Sequence, residues 1–314
     1  MSGRQMLQNF TGLVPPIWRR GKEGKEMEKT ANEKRLEAMR ANLAKLENSA
    51  EEILRKGAEN MTSADREKLL QFVNIAYHDS GKIEGVASID GTSACEFCSK
   101  MRAAAEDDIL IICGMCYAFA DAWKEAAWRR HKLNARILSS VLFTREELSA
   151  LVIPSCLGRI NEDGDIVNQI HAQNVLRIQT THNDVNFGFW YKNSAAVDAG
   201  LHAEGYFRRE ELPQNVKFIK SSLLIGFPAR PDWFTDEVFT VFPDAETTAA
   251  AIAAGAWACN GRKCKDCKYH CYEGSAHVAP VRYIAEYLRT NKARRALVMT
   301  AYDAKKAQAQ ARNN

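Results

Sequence analysis

Eight of the nine cysteines fall in two sets whose spacing is typical of metal sites. The first set has two C-x2-C pairs separated by 14 residues, and it comprises Cys95, Cys98, Cys113 and Cys116. The second set has the spacing C-x4-C-x2-C-x3-C, and it comprises Cys259, Cys264, Cys267 and Cys271. Two residues between thiols allow one tight turn to direct both sulfurs at one metal centre. The sequence therefore predicts a metal or cluster site.

The spacing leaves two metals open. Zinc prefers four ligands in a closed tetrahedron, and paired C-x2-C motifs are the zinc-ribbon pattern, although the 14-residue gap is slightly short for it. Iron–sulfur clusters are often held by compact cysteine runs, which the second set resembles. His270 is an optional further ligand. Cys156 lies in a predicted strand, and we interpret it as a buried, inert thiol.

Composition is that of a soluble globular protein. The chain has 314 residues, of which 46% are hydrophobic and 26% charged. No apolar run approaches the ~20 residues of a membrane span, and the N-terminus lacks a signal-peptide core. We therefore expect a cytoplasmic protein without a membrane partner, in which cysteines stay reduced and available to metals. The net charge of +4 neither requires nor excludes a nucleic-acid partner.

Strand-like and helical stretches alternate in the central part of the chain. The strands are predicted at about 151–160, 185–192, 216–225 and 238–242, with helices between several of them. This pattern predicts an α/β fold, either a partial (βα) barrel or a mostly parallel sheet. Capping boxes at Thr62–Asp65 and Thr144–Glu147 predict two helix starts. A further helix is expected at about 278–289, followed by a frayed polar tail.

The N-terminal region differs from the rest in composition. Residues 1–20 read as a flexible arm, and residues 21–60 as a charged helical extension. Its apolar positions recur at helical spacing, and they are Leu36, Met39, Leu43, Leu46, Ile53 and Leu54. We favour a solvated helix that packs a narrow stripe on the body over a short coiled coil. The predicted divisions are 1–60, a cysteine-rich metal-binding domain at 61–275, and a C-terminal helix and tail at 276–314.

Polar residues follow the predicted strands. In parallel sheets the working residues gather at the carboxyl ends of strands, and here Asp163, Asp165 and Lys192 are candidate ligand contacts. Ordinary turn chemistry and a surface lysine are the slightly favoured interpretation. By the same argument, both cysteine sets are expected at one end of the fold. The basic run Arg129–Lys132 is a solvated face or, less often, a phosphate contact.

Several motifs in the same order resemble a known family. They are SGKIEGVASIDGTSACEFCSKM, IICGMCYA, LNARILSS, LGRINEDGDIVNQIHAQNVLRI, NDVNFGFWYKN, VKFIKSSLLIG, VFTVF and CNGRKCKDCKYHCYE. Over roughly residues 80–275 the chain resembles the phage gene product eighty-eight type family and its clostridial mobile-element relatives. The family pattern matches every cysteine of the two sets except Cys95, where it has another residue.

The resemblance implies an architecture similar to that of radical S-adenosylmethionine proteins, a partial (βα) barrel with a cysteine-bound 4Fe–4S cluster. It favours iron–sulfur over zinc. The usual C-x3-C-x2-C signature of those enzymes is missing, and Cys264, Cys267 and Cys271 have its spacings in reverse order. Reductive cleavage of S-adenosylmethionine therefore does not follow from the resemblance.

Two functional hypotheses remain at this point. The first is an iron–sulfur protein of phage or mobile-element type, with a small molecule or nucleic-acid base as partner and S-adenosylmethionine as a candidate cofactor. The second is a non-enzymatic zinc protein that contacts nucleic acid or a partner protein through its charged helix and Arg129–Lys132.

Overall fold

The computed structural model describes residues 31–91, 96–115, 125–161, 164–259, 263–267, 271–277, 279–288 and 290–313. The chain divides into two compact units, residues 1–39 and residues 40–314. The described part of the first unit is helical and belongs to helix α1 (Ala31–Leu54). All strands and all other helices described below belong to the second unit.

One eight-stranded sheet organises the second unit. Its strands are β1 (Ala76–Tyr77), β2 (Ala87–Ile89), β3 (Leu157–Ile160), β4 (Asn186–Tyr191), β5 (Val216–Ser221), β6 (Glu237–Phe242), β7 (Trp257–Ala258) and β8 (Arg282–Tyr287). The helices are α2 (Ser63–Gln71), α3 (Glu96–Asp107), α4 (Glu125–Ser140), α5 (Arg145–Ser149), α6 (Gln169–Thr181), α7 (Ser194–Ala203), α8 (Ala245–Ala253) and α9 (Lys292–Asn313).

The strand order is β1-β2-β3-β4-β5-β6-β8-β7. Strand β1 is antiparallel to β2, and every other neighbouring pair is parallel. An α/β fold with a mostly parallel sheet is thus confirmed. Spatial order follows chain order except that β8 lies between β6 and β7. Parallel crossovers are almost always right-handed, so sequential strands place their connecting helices on one face of the sheet.

The main apolar core lies between the sheet and these helices. Strand β4 contributes Phe187, Phe189 and Tyr191 to it, and β5 contributes Val216 and Phe218. From the helices come Leu133, Ile137, Leu148, Ala172, Val175, Leu176, Ile178, Val197 and Leu201. Because side chains alternate along a strand, the residues between these core positions point to the opposite face of the sheet.

Local signals in the sequence fix several helix starts. Both predicted capping boxes are present, Thr62 with Asp65 at α2 and Thr144 with Glu147 at α5. Buried Asn174 of α6 accepts a hydrogen bond from the Phe143 N–H at 2.9 Å and donates to the Leu138 and Val141 carbonyls, each at 2.7 Å. These bonds tie the end of α4 and the start of α5 to α6.

Helix α1 packs on the body only through part of its apolar stripe. Leu43, Ala50 and Ile53 are buried, whereas the side chains of Leu36, Met39 and Leu46 are exposed. Packing of a narrow stripe is therefore confirmed for the second half of the helix. Three ion pairs join this half to α4, and the paired positions advance in the same direction along both helices. They are Arg40–Glu125, Glu47–Arg129 and Glu51–Arg136.

Three expectations about the chain are wrong. The predicted helix at about 278–289 is strand β8, and the predicted frayed tail is part of helix α9, which buries Val298 and Tyr302. The predicted strand at 151–160 is shorter, and Cys156 precedes β3 as an exposed residue instead of being buried. No helix in the described part of the chain is long and apolar enough to cross a membrane.

Candidate metal centre

The face of the sheet away from the main core carries the chemistry. Strand register places Arg159 of β3 beside Gly188 of β4, and Trp190 of β4 in line with Ile219 of β5 and Glu237 of β6. The Arg159 guanidinium lies 4.2 Å from the centre of the Trp190 ring. We call this side the strap face, because residues 271–277, here named the strap, cross it.

The cysteines of the second set reach the strap face from three local structures. Cys259 follows β7 and donates its N–H to the Ala285 carbonyl of β8 at 2.9 Å. Cys264 opens a 3-10 turn, Cys264–Asp266, and donates its N–H to the Lys82 carbonyl at 2.7 Å. Cys267 closes that turn with a bond to the Cys264 carbonyl at 3.2 Å. Cys271 opens the strap.

Gly188 allows the strap to lie directly on β4. A Cβ at this position would stand 3.0 Å from the Cys271 carbonyl oxygen and 2.3 Å from the Trp190 ring. The absence of a side chain at Gly188 therefore makes room for the backbone of Cys271. Tyr272, the next residue, is buried, with its ring centre 5.4 Å from that of Trp190.

The loop between β1 and β2 covers the same cysteines. Ile83 and Val86 form a small apolar cluster with Tyr272, against which Trp190, Leu157, Cys264 and Cys271 pack. Lys263 forms an ion pair with Glu84. This loop contains the segment SGKIEG, which therefore forms one wall of the cysteine site.

The four thiols influence one another electrostatically. Burial raises the pKa of the Cys271 thiol well above its usual value, and the negative charges of Glu237, Cys259, Cys264 and Cys267 raise it further. Burial also raises the pKa of Cys264, opposed by the positive charges of Arg159 and Lys82. The four cysteines are thus electrostatic neighbours in a partly buried environment.

Lys82 is a cation that interacts with the thiols of the second cysteine set. Burial alone would lower its pKa, but the negative charges of Cys259 and Glu286 outweigh burial and raise it. Its Nζ lies 3.2 Å from Glu286 Oε1. Lys82 therefore stays protonated and favours thiolate over thiol at the neighbouring cysteines.

A buried charged group lies beside Cys271. Glu237 is fully buried, and its Oε1 pairs with Arg282 and, at 3.7 Å, with Lys217. Burial raises the pKa of Glu237 despite these two cations. The Arg282 guanidinium also lies 4.2 Å from the centre of the Trp257 ring, two residues before Cys259. Strand residues of β5, β6 and β8 thus add charge to the site.

The first cysteine set lies elsewhere. Cys98 is on α3, and buried Cys113 is in the 3-10 turn Ile112–Met115, while Cys95 and Cys116 lie outside the described residues. The N–H of Ile112 bonds to the Leu223 carbonyl at 2.8 Å, beyond the carboxyl end of β5. An apolar cluster of Leu110, Ile225, Leu288, Val298 and Tyr302 supports this turn.

The expectation that both sets share one end of the fold is wrong for Cys271, although Cys259 does follow the carboxyl end of β7. The strap bonds to Gln214, just before β5, and its Cys271 lies against Gly188. Cys113 instead adjoins Leu223, just after β5. At about 3.3 Å per strand residue, the length of β5 alone separates these two ends by roughly 20 Å.

Among the three candidate ligand contacts, Asp165 and Lys192 lie at the carboxyl end of β4, while Asp163 lies outside the described residues. Asp165 is fully buried, and its carboxylate accepts from the N–H groups of Ile166, Lys192 and Asn193 at 2.8, 2.9 and 3.3 Å. Burial raises its pKa. These bonds hold the turn after β3 against the end of β4, which is the turn chemistry that the sequence favoured.

The basic run Arg129–Lys132 does not form one surface. Arg129 pairs with Glu47, Arg130 donates to Asn74 at 3.2 Å, and Lys132 Nζ lies 5.6 Å from the Trp128 ring centre. His131 faces the buried carboxylate of Asp90 at 3.7 Å. The side chains leave the helix in different directions, so the contact that a zinc-dependent nucleic-acid binder would need is not supported here.

The donor types of the second set fit a thiolate-bound metal group. Four cysteines are neighbours, and two cations, Lys82 and Arg159, act on them. In their described positions, however, no three or more His, Cys, Asp and Glu side chains are arranged so that they could hold a metal ion. His270, the optional ligand, lies outside the described residues.

Sequence reasoning missed the charged residues that surround these cysteines. Arg159 lies in the predicted strand at 151–160 without a role assigned to it, and Glu237 lies just before the predicted strand at 238–242. Alternation along β3 and β6 places both residues on the strap face, which a correct strand register would have shown. No family model, curated protein or solved structure matches the chain.

Proposed function

We propose that Cys259, Cys264, Cys267 and Cys271 bind an iron–sulfur cluster, a 4Fe–4S cluster by the compactness of their spacing. The observation that carries the proposal is that Cys264 and Cys271 pack against one apolar cluster and that Cys267 closes the turn that Cys264 opens. The negative charges of the other three thiols raise the pKa of Cys271, in agreement with this placement. Ionising four neighbouring thiols without a cation is unfavourable in a partly buried site. Ligation of a metal group offsets that cost.

The surrounding charges support a metal group with two positive charges. In the described part of the chain, Lys82, Arg159, Lys217 and Arg282 face the carboxylates of Glu237 and Glu286. With four thiolates, these described groups together carry two net negative charges. A zinc ion or an oxidised 4Fe–4S core would each neutralise them, so charge alone does not choose. The C-x2-C-x3-C spacing and the resemblance to the phage family favour iron–sulfur.

The sequential, parallel strand order supports the finer view of the fold as a partial (βα) barrel. In such folds ligands bind at the carboxyl ends of strands. That end carries Cys98, Cys113 and Lys192. We place there a second centre, bound by cysteines of the first set. A small molecule or nucleic-acid base would approach the protein at the same end. S-adenosylmethionine is a candidate ligand of this end. A phage or mobile-element origin belongs to the same proposal.

The first experiment is anaerobic purification followed by metal and sulfide analysis. We expect a brown protein with broad absorption near ~400 nm and acid-labile sulfide. Cys264→Ser should remove iron and colour from the centre that the second cysteine set forms. Cys156→Ser, an exposed cysteine outside both sets, is the matched control and should retain them. A colourless parent with stoichiometric zinc contradicts the iron–sulfur proposal and favours the zinc alternative.

A second experiment asks whether the two sets are separate centres. Because Cys113 adjoins Leu223, just after β5, whereas Cys271 lies against Gly188 of β4, Cys113→Ser and Cys264→Ser should remove different parts of the metal content. The double variant should lose the sum of the two losses. Equal and complete loss from either single variant would mean that one shared centre requires both sets.

A further inference from the structure

The strap is fixed to the sheet by one buried carboxylate. Asp236, the residue before β6, accepts hydrogen bonds from the Phe218 N–H at 2.9 Å, the Ser275 hydroxyl at 3.0 Å and the Arg209 guanidinium at 3.1 Å. His277 Nδ1 lies 3.0 Å and 3.1 Å from its two oxygens. Burial alone would raise the pKa of Asp236, but His277, Phe218 and Arg209 lower it, so this carboxyl group is an acceptor only.

The other ring nitrogen of His277 also faces an acceptor. His277 Nε2 lies 3.0 Å from the carbonyl oxygen of Pro213. A carbonyl oxygen cannot donate, and neither can an ionised carboxylate, so each ring nitrogen of His277 faces an acceptor. The charged groups that face the ring are Asp236 and, through that carboxylate, Arg209. Strand β5 presents the Phe218 ring, 6.1 Å away between centres.

The backbone of His277 supports the importance of these contacts. Its φ is 54°, in the left-handed region that residues other than glycine adopt infrequently, Asn, Asp and His most often among them. The side-chain contacts with Asp236 and Pro213 hold the residue in this conformation. Three residues before His277, Gly274 lies against the Gln214 carbonyl oxygen, and a Cβ on Gly274 would stand 2.3 Å from that oxygen. The far end of the strap is therefore fixed at the amino end of β5.

We propose that His277 is a positioning residue of the metal centre, and that its imidazolium ring, held between Asp236 and Pro213, determines where the strap places Cys271. The proposal rests on the proposed function of the four cysteines. Its structural part, a doubly protonated buried histidine that holds Cys271, can be tested in metal-free protein.

The first test is the protonation state of the ring. In full-length protein labelled with 15N at histidine, both ring nitrogens of His277 should give the shifts of protonated nitrogen at pH 7, where an ordinary exposed histidine is mostly neutral. Asp236→Asn should abolish this signature, because the amide no longer supplies the negative charge. A neutral His277 in the parent overturns the proposal.

The second test is the reactivity of Cys271 in metal-free protein, read as the alkylation rate at each cysteine by mass spectrometry. Loss of a charge-assisted bond worth about 1.5–3 kcal/mol should speed alkylation of Cys271 in His277→Gln by about tenfold to a hundredfold. The alkylation rate of Cys113 should be unchanged. The control is His182→Gln, in which every cysteine should react as in the parent; His182 Nε2 lies 3.3 Å from the Leu148 carbonyl oxygen. Unchanged Cys271 reactivity, or equal acceleration at Cys113, overturns the proposal.

The third test uses metal-loaded protein. His277→Gln should release metal to a chelator about tenfold faster than the parent or His182→Gln, as loss of one such bond implies. If the parent takes up no metal while the first two tests succeed, the proposed function fails but the role of His277 in holding Cys271 stands. If the parent binds metal and all variants release it at the same rate, the positioning role fails.

Discussion

The two faces of the sheet are built from alternate residues of the same strands but differ in what they hold. Toward the helices, β4 presents Phe187, Phe189 and Tyr191 to a continuous apolar core. Toward the strap it presents Gly188 and Trp190, against which Cys271 and Tyr272 lie. The first face holds the fold together, and the second holds charged residues and thiols whose burial is costly without a partner.

Histidines show the same difference. His171 of α6, on the helix-covered side, is buried and accepts the Val167 N–H at Nδ1, and burial lowers its pKa to about 4. His277, at the strap, has acceptors at both ring nitrogens. One environment therefore favours a neutral ring, whereas the other presents an acceptor to each ring nitrogen. Mutations on the two faces should separate stability from metal retention.

The largest effect on stability is expected from Phe189→Ala. Phe189 is fully buried against Tyr191 and Phe218, and its removal should lower the free energy of unfolding by about 3–5 kcal/mol. The counterpart on the strap face, Trp190→Ala, should destabilise less, because Trp190 is only partly buried, yet release metal faster. Urea unfolding and chelator release measure the two effects. The reverse pattern would remove the distinction between the faces.

Acid should weaken the helix-covered side through His171. Its pKa falls from an ordinary value of 6.5 to about 4 on folding, so between these pH values the unfolded chain binds the proton and the folded chain does not. Stability is therefore lost as the pH falls from 6.5 to 4, by on the order of 3 kcal/mol. Urea unfolding at pH 7, 5.5 and 4 should show this loss in the parent and less of it in His171→Gln. Identical slopes would contradict the assignment.

Two glycine-to-alanine variants introduce steric clashes of the same closeness on the two faces. A Cβ at Gly188 would meet the Trp190 ring at 2.3 Å, and a Cβ at Gly200 would meet the Ala172 side chain at the same distance. Each should cost about 1–3 kcal/mol of unfolding free energy. Only Gly188→Ala should also speed metal release, because only there does the methyl group press on Cys271. Parallel effects on both readouts would show that metal retention merely follows stability.

The smallest effect is expected from Lys263→Gln, which removes the ion pair with Glu84. The Lys263 side chain is about half exposed, so the loss should stay below about 1 kcal/mol. Thermal unfolding at low and high salt would measure it, with Lys56→Gln, which pairs with Asp65 on α2, as the matched control. A loss of several kcal/mol would mean that the β1–β2 loop depends on this pair to cover the cysteines.

The sequence predicted the helix-covered face well because its signals are local. Capping boxes fixed the starts of α2 and α5, and β4, β5 and β6 lie where apolar runs rich in aromatic and β-branched residues placed them. Strand β8 was missed because Val281, Ile284, Ala285 and Leu288 have helical spacing. Its pairing with β6 over six residues decides its conformation, and no local pattern encodes that pairing.

The candidate site was predicted only as a set of cysteines. Spacing identified the thiols, because C-x2-C is a local geometry. The charged residues around them come from positions 82, 159, 237 and 286, which only the folded sheet brings together. The position of Cys271 also could not be read from the chain, because only the folded sheet brings the strap against Gly188 of β4 and against Gln214, before β5.

The position of β8 between β6 and β7 also sets an order of events during synthesis. Strand β7 pairs with β8 and has no ladder with β6, and Cys259 bonds to the β8 backbone. A ribosome that has added Cys271 has thus made all four thiols of the second set but not the strand that places the first of them. Nascent chains stalled before and after Tyr287 should differ in metal uptake, the shorter ones taking up little. The cysteines emerge as a flexible chelating segment, and the last strand to emerge completes their site.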